Sequence, residues 1–544
     1  MKKYFLTLCL ITFSLTGQAK STTSEFDRLL NNLFTADGPG GVALVVEDGK
    51  TVYRKAFGMA NLELGVKMTP ENIFRIGSIS KQFTAVAILK LAEEGKIDLD
   101  ADITQYIKDY PTHGHTITIK HLLNHTSGIK SYTSLEKWDA QERKRDFTPT
   151  QLIDYFKHEP MDFAPGEQFR YNNSGYILLG HIIELVSGET YADYIQNHLF
   201  QPLNLSNSSY GSTSRIIKNR AYGYSKTDDA YINADFLSMT QPYAAGSLLS
   251  TVDDVYAWYT AIMNDKVINK TSRKMAHQMG VLNSGEKIDY GFGWFIGNIQ
   301  GSPMIEHGGG INGYLTASIW LPEEKVFVAV FSNCNCNAPG DTANKMAAIA
   351  IDNPFNWKKV NLNDELLKSY QGVYEKAPDD LRTFTFEDGQ LYSLRSGGTR
   401  YKIFPFAKDQ FFFEDSIVTL TFNRDNAAKI NSVTLNSTGQ AKVWLKTDKP
   451  IATFNEIKLD PKVFTTYVGK YQLAPTFHIN IFSEDNKMYT QATGQEKVEL
   501  VAIGINQLML KNTDIKLTFN TLKDGTVESL TLHQNGEHLA KKIE

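Results

Sequence analysis

Ser78-Ile-Ser-Lys81 opens a stretch that continues through Ala85-Val-Ala-Ile-Leu89 and stops at Gly95. Its middle is apolar on nearly every face, which predicts a buried central helix from about Ser78 to Glu94. A spacing of three residues puts the Ser78 hydroxyl and the Lys81 amine on one face of that helix. A serine hydroxyl is a weak nucleophile and needs a base beside it. A lysine on a buried helix loses hydration, which lowers its pKa and lets the amine accept a proton. At the helix start, Ser78 also meets unpaired N–H groups and the positive end of the helix dipole, both useful to a developing oxyanion. Taken alone, the pair also fits a capping serine followed by a snorkelling lysine.

Working outward, Gly41 to Val46 reads as a short apolar strand. Asp48-Gly49 turns it into a second strand from Thr51 to Phe57, a hairpin signal. Further helices are expected near residues 150–158, 174–187, 189–199 and 252–264, and strands near 315–321 and 326–332. Strands at both ends with helices between make the region up to about residue 355 an α+β domain.

The remainder of the chain is a tandem repeat. Tyr370-Gln-Gly-Val-Tyr374 returns as Tyr467-Val-Gly-Lys-Tyr471, an offset of 97 (467 − 370). The same offset pairs Glu387-Asp388 with Glu484-Asp485, Tyr392 with Tyr489, Leu420-Thr-Phe-Asn423 with Leu517-Thr-Phe-Asn520, and Thr434-Leu435 with Thr531-Leu532. Between these matches apolar and polar residues alternate around Gly, Asn and Asp turns, the pattern of antiparallel strands. Two all-β units are expected, at about 361–450 and 458–544, and closing each into a small barrel would remove its exposed edges.

At 544 residues the chain has room for three or four domains of roughly 150 residues. Hydrophobic residues at 42% and charged residues at 21% exclude a mainly disordered, collagen-like or multi-span membrane chain. With Lys+Arg 56 against Asp+Glu 60 the net charge is -4, so no basic footprint for nucleic acid is present. Lys2-Lys3, the apolar run from Tyr4 to Leu15 and the small residues at Gly17-Gln-Ala19 read as a bacterial secretory signal over residues 1–19. The catalytic region then begins near Lys20 and extends to about 355. A periplasmic or secreted protein with no membrane span in its mature form is expected. Only 3 Cys exclude a disulfide scaffold. A bridge between Cys334 and Cys336 would be strained, so free or loosely paired thiols are expected there.

Two more motifs bear on chemistry. Tyr171-Asn-Asn173 follows a turn at Phe163-Ala-Pro-Gly166 and precedes a helix beginning at Ser174. A tyrosine there can relay protons beside a lysine, and an amide can hold a substrate carbonyl or N–H. Glu306-His307-Gly-Gly-Gly310-Ile-Asn-Gly-Tyr314 lies just ahead of a strand. Its glycines let backbone approach a ligand and offer N–H groups, and His307 could bind a carboxylate or tune Tyr171. Other clusters are weaker. His113, His115, His121 and His125 lack the Glu that a zinc peptidase helix carries after its first His. Glu142-Arg-Lys-Arg-Asp146 reads as a solvated face and Thr251-Val-Asp-Asp254 as a helix cap. No phosphate loop or dinucleotide fingerprint occurs, and no cofactor or metal is expected.

Together the three motifs resemble the class C β-lactamase and penicillin-binding family of serine hydrolases, whose related members pair S-x-x-K with S-D-N and K-T-G. Tyr-x-Asn in second place is usual for the class C branch, and His-x-Gly in third place resembles D-aminopeptidases. His121-Leu-Leu-Asn-His-Thr-Ser-Gly128, Pro202-Leu203, Ala244-Ala-Gly246 and Tyr290-Gly-Phe-Gly-Trp294 extend the match over roughly residues 25–350. The paired barrels resemble those flanking the D-aminopeptidase catalytic domain. The resemblance implies that Ser78 forms an acyl-enzyme, Lys81 takes its proton, and Tyr171 bridges Lys81 and the leaving group. It implies that Asn173 holds the substrate amide, and that the N–H groups of Ser78 and Gly310 form the oxyanion hole. Gly309 and His307 then complete the substrate-binding strand. His307 stands where the family has lysine, so activity on β-lactams and D,D-carboxypeptide substrates is doubtful. The expected substrate is a small peptide, amide or ester. Amide or peptide hydrolysis comes first, with a D-aminopeptidase-like lean. An esterase of the same fold and a penicillin-binding sensor that acylates without turnover are the alternatives.

Overall fold

Gly41–Glu47 (β1) and Lys50–Phe57 (β2) form the expected hairpin, and they complete a sheet whose other strands come from the far end of the domain. Those are Phe295–Ile299 (β3), Ser302–Ile311 (β4), Tyr314–Leu321 (β5) and Val326–Ser332 (β6). The spatial order is β3-β4-β5-β6-β1-β2, antiparallel throughout. This computed structural model describes residues 15–227, 230–452, 456–474, 477–485, 487–493 and 495–544. The leader expected over residues 1–19 therefore lies largely outside the described residues.

Both faces of the sheet are covered, so its central strands read as continuous apolar runs rather than alternating ones. Val42, Leu44 and Val46 point into the larger core, while Ala43 and Val45 point into a second core. The second core is closed by Leu15–Leu33 (α1) through Phe26 and Leu30, and by Gly340–Ala350 (α5) through Met346 and Ala347. The larger core holds Ser80–Glu93 (α2), Asn173–Ser187 (α3) and Val252–Met263 (α4). Every residue of α2 from Ser80 to Leu89 is buried. Phe83 stacks on Trp258 of α4 with ring centres 4.0 Å apart. The buried Gln82 amide is satisfied by the Tyr259 hydroxyl and the Trp258 indole N–H. A helix buried on all sides has no solvent face to which Lys81 could snorkel.

The α-helix starts at Ser80, two residues later than expected, because Gly77–Ile79 forms a 3-10 turn first. Gly77 takes φ +51, a left-handed value that disfavours any side chain.

The repeat folds into two closed, eight-stranded antiparallel barrels, between Gly372 and Lys446 and between Gly469 and Lys542. The offset of 97 is also an offset of interactions. Tyr370 donates to Asp409, and Tyr467 donates to Asn506. Tyr374 donates to the Tyr370 carbonyl as Tyr471 does to that of Tyr467. Asn423 ties Ser432 and Thr434, and Asn520 ties Ser529 and Thr531. The first barrel docks on the sheet through the turn at residues 437–441. There Asn298 N–H of edge strand β3 donates to Thr438 O, and Gln440 N–H donates to Asp289. A cavity of about 850 Å³ lies along this join, bordered by Phe169, Phe295 and Glu306.

The cysteines correct the expectation. Cys334 and Cys336 are disulfide-bonded. The chain turns sharply after β6, bringing their Cα atoms to 5.1 Å, inside the range a bridge spans.

Candidate active site

Ser78 sits on the 3-10 turn between sheet and α2. Strand β3 ends at Phe295, opposite Glu306, so from His307 to Ile311 strand β4 has no strand partner on that side. The Gly77–Ile79 turn fills the gap. A Cβ on Gly77 would lie 2.9 Å from Gly310 N, and one on Gly309 would lie 2.0 Å from Ile76 O. Only glycine at both places permits this approach, which sets Ser78 beside the free edge of β4.

Lys81 is completely buried, and burial holds its amine well below an ordinary lysine pKa. Its Nζ lies 3.1 Å from Ser78 Oγ, 2.9 Å from Asn173 Oδ1 and 2.9 Å from Ala245 O. A neutral amine has two N–H groups and one lone pair. Asn173 and Ala245 offer acceptors for the two N–H groups, so the lone pair falls toward the Ser78 hydroxyl. That is the arrangement a general base needs.

Asn173 opens α3. Asn172 caps the helix by accepting from Gly175 N–H, and Asn173 is held further by Thr133 and Ser131. Tyr171, two residues earlier, lays its ring 4.7 Å from Lys81 Nζ. Its hydroxyl is shut from solvent and makes no full hydrogen bond. Burial pushes its pKa well up, opposed by the nearby Ser78 hydroxyl and reinforced by Glu306. The ring is held between His125, 4.3 Å away, and Phe295, stacked at 6.2 Å. A phenol kept neutral beside a neutral amine can pass a proton from one side to the other.

His307 lies in the same cluster but faces inward. It is 1% exposed. Its Nδ1 lies 2.5 Å from Gly308 O and so carries the proton, leaving Nε2 to accept from the Tyr290 hydroxyl at 3.0 Å. Burial above all pushes its pKa down to about 3. The carboxylate-binding role expected of it has no free nitrogen to serve it. Gly310 is exposed and lines a cleft of about 120 Å³ with Ser78, Asn173, Tyr132, Trp138 and Asn312, while Gly309 packs beneath. Of the other histidines, His121 accepts from Thr118 N–H in a capping box, and His125 packs at a tilt against the Tyr171 and Tyr290 rings.

Sequence reasoning missed the Ala245 carbonyl, the Tyr290–His307 bond and the Tyr132–Trp138 wall. Ala244-Ala-Gly246 and Tyr290-Gly-Phe-Gly-Trp294 carry no chemical role that their sequence alone announces. The former supplies the acceptor for Lys81 and the latter the partner of His307.

Comparison with known proteins agrees with this geometry. Residues 26–352 match the family model described as Beta-lactamase. Penicillin-binding protein 4* of Bacillus subtilis (strain 168) is 29% identical over 419 residues, which is 72% of this chain and 91% of that protein. A D-stereospecific amidohydrolase from Streptomyces sp. superposes with a TM-score of 0.53 at 25% identity, covering 61% of this chain and 98% of that one. The octameric penicillin-binding protein homologue from Pyrococcus abyssi superposes with a TM-score of 0.56 at 24% identity. That likeness of fold covers 89% of this chain and 99% of the other.

Proposed function

The chain belongs to the beta-lactamase family of serine hydrolases, and from that premise we propose that it hydrolyses amide or peptide bonds through an acyl-enzyme on Ser78. The observation that carries this reading is the buried Lys81 amine, 3.1 Å from Ser78 Oγ with acceptors for both of its N–H groups. Ser78 Oγ attacks the substrate carbonyl carbon and gives its proton to Lys81. The carbonyl oxygen becomes an oxyanion, held by the Ser78 and Gly310 N–H groups. Removing one such donor typically costs on the order of 10²–10³ in rate. The tetrahedral species collapses, the C–N bond breaks, and Tyr171 passes the proton from Lys81 to the leaving amine. Water then attacks the ester carbon, loses a proton along the same relay, and releases the acid and free Ser78.

Asn173 orients Lys81 and holds the substrate amide. His307 acts as a positioning residue through Tyr290 and Tyr171, and substrate contact on β4 falls to Gly310, with Gly309 packed beneath it against the Ser78 turn. The Bacillus relative named for penicillin binding and the Streptomyces structure named for amide hydrolysis support an acyl-transfer site. A D-residue preference follows only by analogy with the Streptomyces amidohydrolase. The first barrel, through its turn on β3, borders the larger cavity beside Phe295 and Glu306, and the protein works in the periplasm or outside the cell. No helix among the described residues is long and apolar enough to cross a membrane.

The test is a rate panel on the protein beginning near Lys20, with Ser78→Ala beside it. It uses D- and L-aminoacyl amides, an aryl ester and a penicillin. Amide turnover that vanishes in Ser78→Ala supports the reading. Turnover of the ester alone makes the protein an esterase, and a stable adduct without turnover makes it a sensor.

A further inference from the structure

Beside the Ser78 cleft lies a second cavity of about 290 Å³ that shares the Leu237 and Asn312 walls with it. Arg75 and Arg220 both line this cavity. Arg75 stands three residues before the nucleophile, on the short strand Phe74–Arg75, and Arg220 is brought alongside by a backbone bridge to Ile73. The floor is fixed. Tyr314 donates to Ala221 O, and Gly313 at φ +80 packs on Gly223 so tightly that a Cβ would lie 2.6 Å from its Cα.

Both arginines border this one space, the Arg220 charge acts on Arg75, and neither forms an ion pair among the described residues. Arg75 has the Tyr314 ring beneath it, 5.8 Å away, and the Arg220 charge beside it. Asp235 also lines the cavity but forms no ion pair with either arginine among the described residues. Elsewhere in the catalytic region Arg54, Arg145, Arg170 and Arg273 each sit on an acidic side chain. Two half-buried cations held together without a counter-charge repel each other and lose hydration. An arriving oxyanion relieves both costs, and guanidinium geometry favours bidentate contact with a carboxylate.

We propose that Arg75 and Arg220 form an anion subsite that receives a carboxylate carried by the substrate whose scissile carbonyl lies at Ser78. The inference rests on the hydrolase reading above and adds a substrate class to it. The cavity adjoins the cleft through Leu237 and Asn312, so one extended ligand can occupy both. It also gives the protein a carboxylate site that the inward-facing His307 does not provide.

The experiment compares kcat/KM for matched aryl esters. One pair carries or lacks a carboxylate on the acyl chain (4-nitrophenyl hydrogen glutarate against 4-nitrophenyl butyrate), and the other carries or lacks it on the leaving group. The charged-to-neutral ratio cancels any general loss of activity. In at least one pair the ratio should fall roughly tenfold to hundredfold in Arg220→Gln and in Arg75→Gln, as loss of a charge-assisted pair does. Arg220→Lys should restore part of it. A ratio unchanged in both pairs overturns the subsite, while neutral-ester turnover lost in Ser78→Ala keeps the hydrolase reading standing. Calorimetric titration of glutarate into full-length Ser78→Ala reads the subsite with chemistry switched off. Heat of binding that disappears on adding Arg220→Gln supports the proposal, and heat that persists contradicts it.

Discussion

Replacing Glu306 with Gln should stabilise the catalytic domain at pH 8 and change little near pH 4. Glu306 lies on β4 next to His307 and borders the cavity at the barrel join. It is half-buried, and burial raises its pKa from 4.5 to about 7. In the unfolded chain the carboxyl loses its proton near 4.5, while in the folded chain it keeps it to about 7. Between those values the folded state binds more protons, so stability falls as pH rises through the window and stays low above it. A rise from 4.5 to about 7 corresponds to roughly 3 kcal/mol, an upper bound because the half-buried carboxyl is partly screened by solvent. Glutamine has the same shape and never ionises, so it escapes the penalty. Urea unfolding followed by tryptophan fluorescence at pH 4.5 and pH 8 measures the difference. Trp258 and Trp294 are fully buried in this domain and report its core. A gain of about 1–3 kcal/mol at pH 8 that shrinks toward zero at pH 4.5 is expected. An equal effect at both pH values, or destabilisation at pH 8, would refute the reasoning.

Lys81→Met should lower kcat/KM on an amide by on the order of 10²–10⁴. In the unaltered protein the rate should fall only when acid drops below the depressed lysine pKa, because the ammonium has no lone pair. A pH–rate profile checks this, and an acid limb that survives in Lys81→Met contradicts it. Asn333 is fully buried, accepts from Gly40 N–H at 2.7 Å and donates to Tyr222 O at 2.8 Å and Met59 O at 3.1 Å. Its change to Ala should cost roughly 2–4 kcal/mol by urea unfolding, since it strands several buried backbone groups. Gly297→Ala should loosen the first barrel, because a Cβ there would lie 2.1 Å from the Thr438 carbonyl. Faster proteolytic cleavage between residues 353 and 363 is the readout, and unchanged cleavage would count against tight docking.

The elements were legible where local pattern decides them. The helix carrying Lys81, the hairpin at Asp48-Gly49 and the barrel strands follow from periodicity, turn residues and a repeat that preserves its hydrogen-bonding pairs. What escaped depends on contacts distant in sequence. Ala245 is 164 residues from Lys81, and a backbone carbonyl has no side-chain signature to announce it. The inward turn of His307 depends on Tyr290 and Gly308 taking both ring nitrogens. A Gly-rich motif reads the same whether its histidine points out or in. Cys334 and Cys336 were misjudged because sequence spacing alone does not reveal the turn that brings them together. Arg75 and Arg220 stand out only in the fold, where neither pairs with an acidic side chain among the described residues.

The central claim is that Ser78 carries the acyl group. Acid-quenching the protein during turnover of an aminoacyl amide and weighing it intact tests this directly. The expected result is a mass increase of one acyl group, located by digestion to the peptide containing Ser78 and absent from Ser78→Ala. Turnover that persists in Ser78→Ala, or an acyl group found on another residue, would contradict the account.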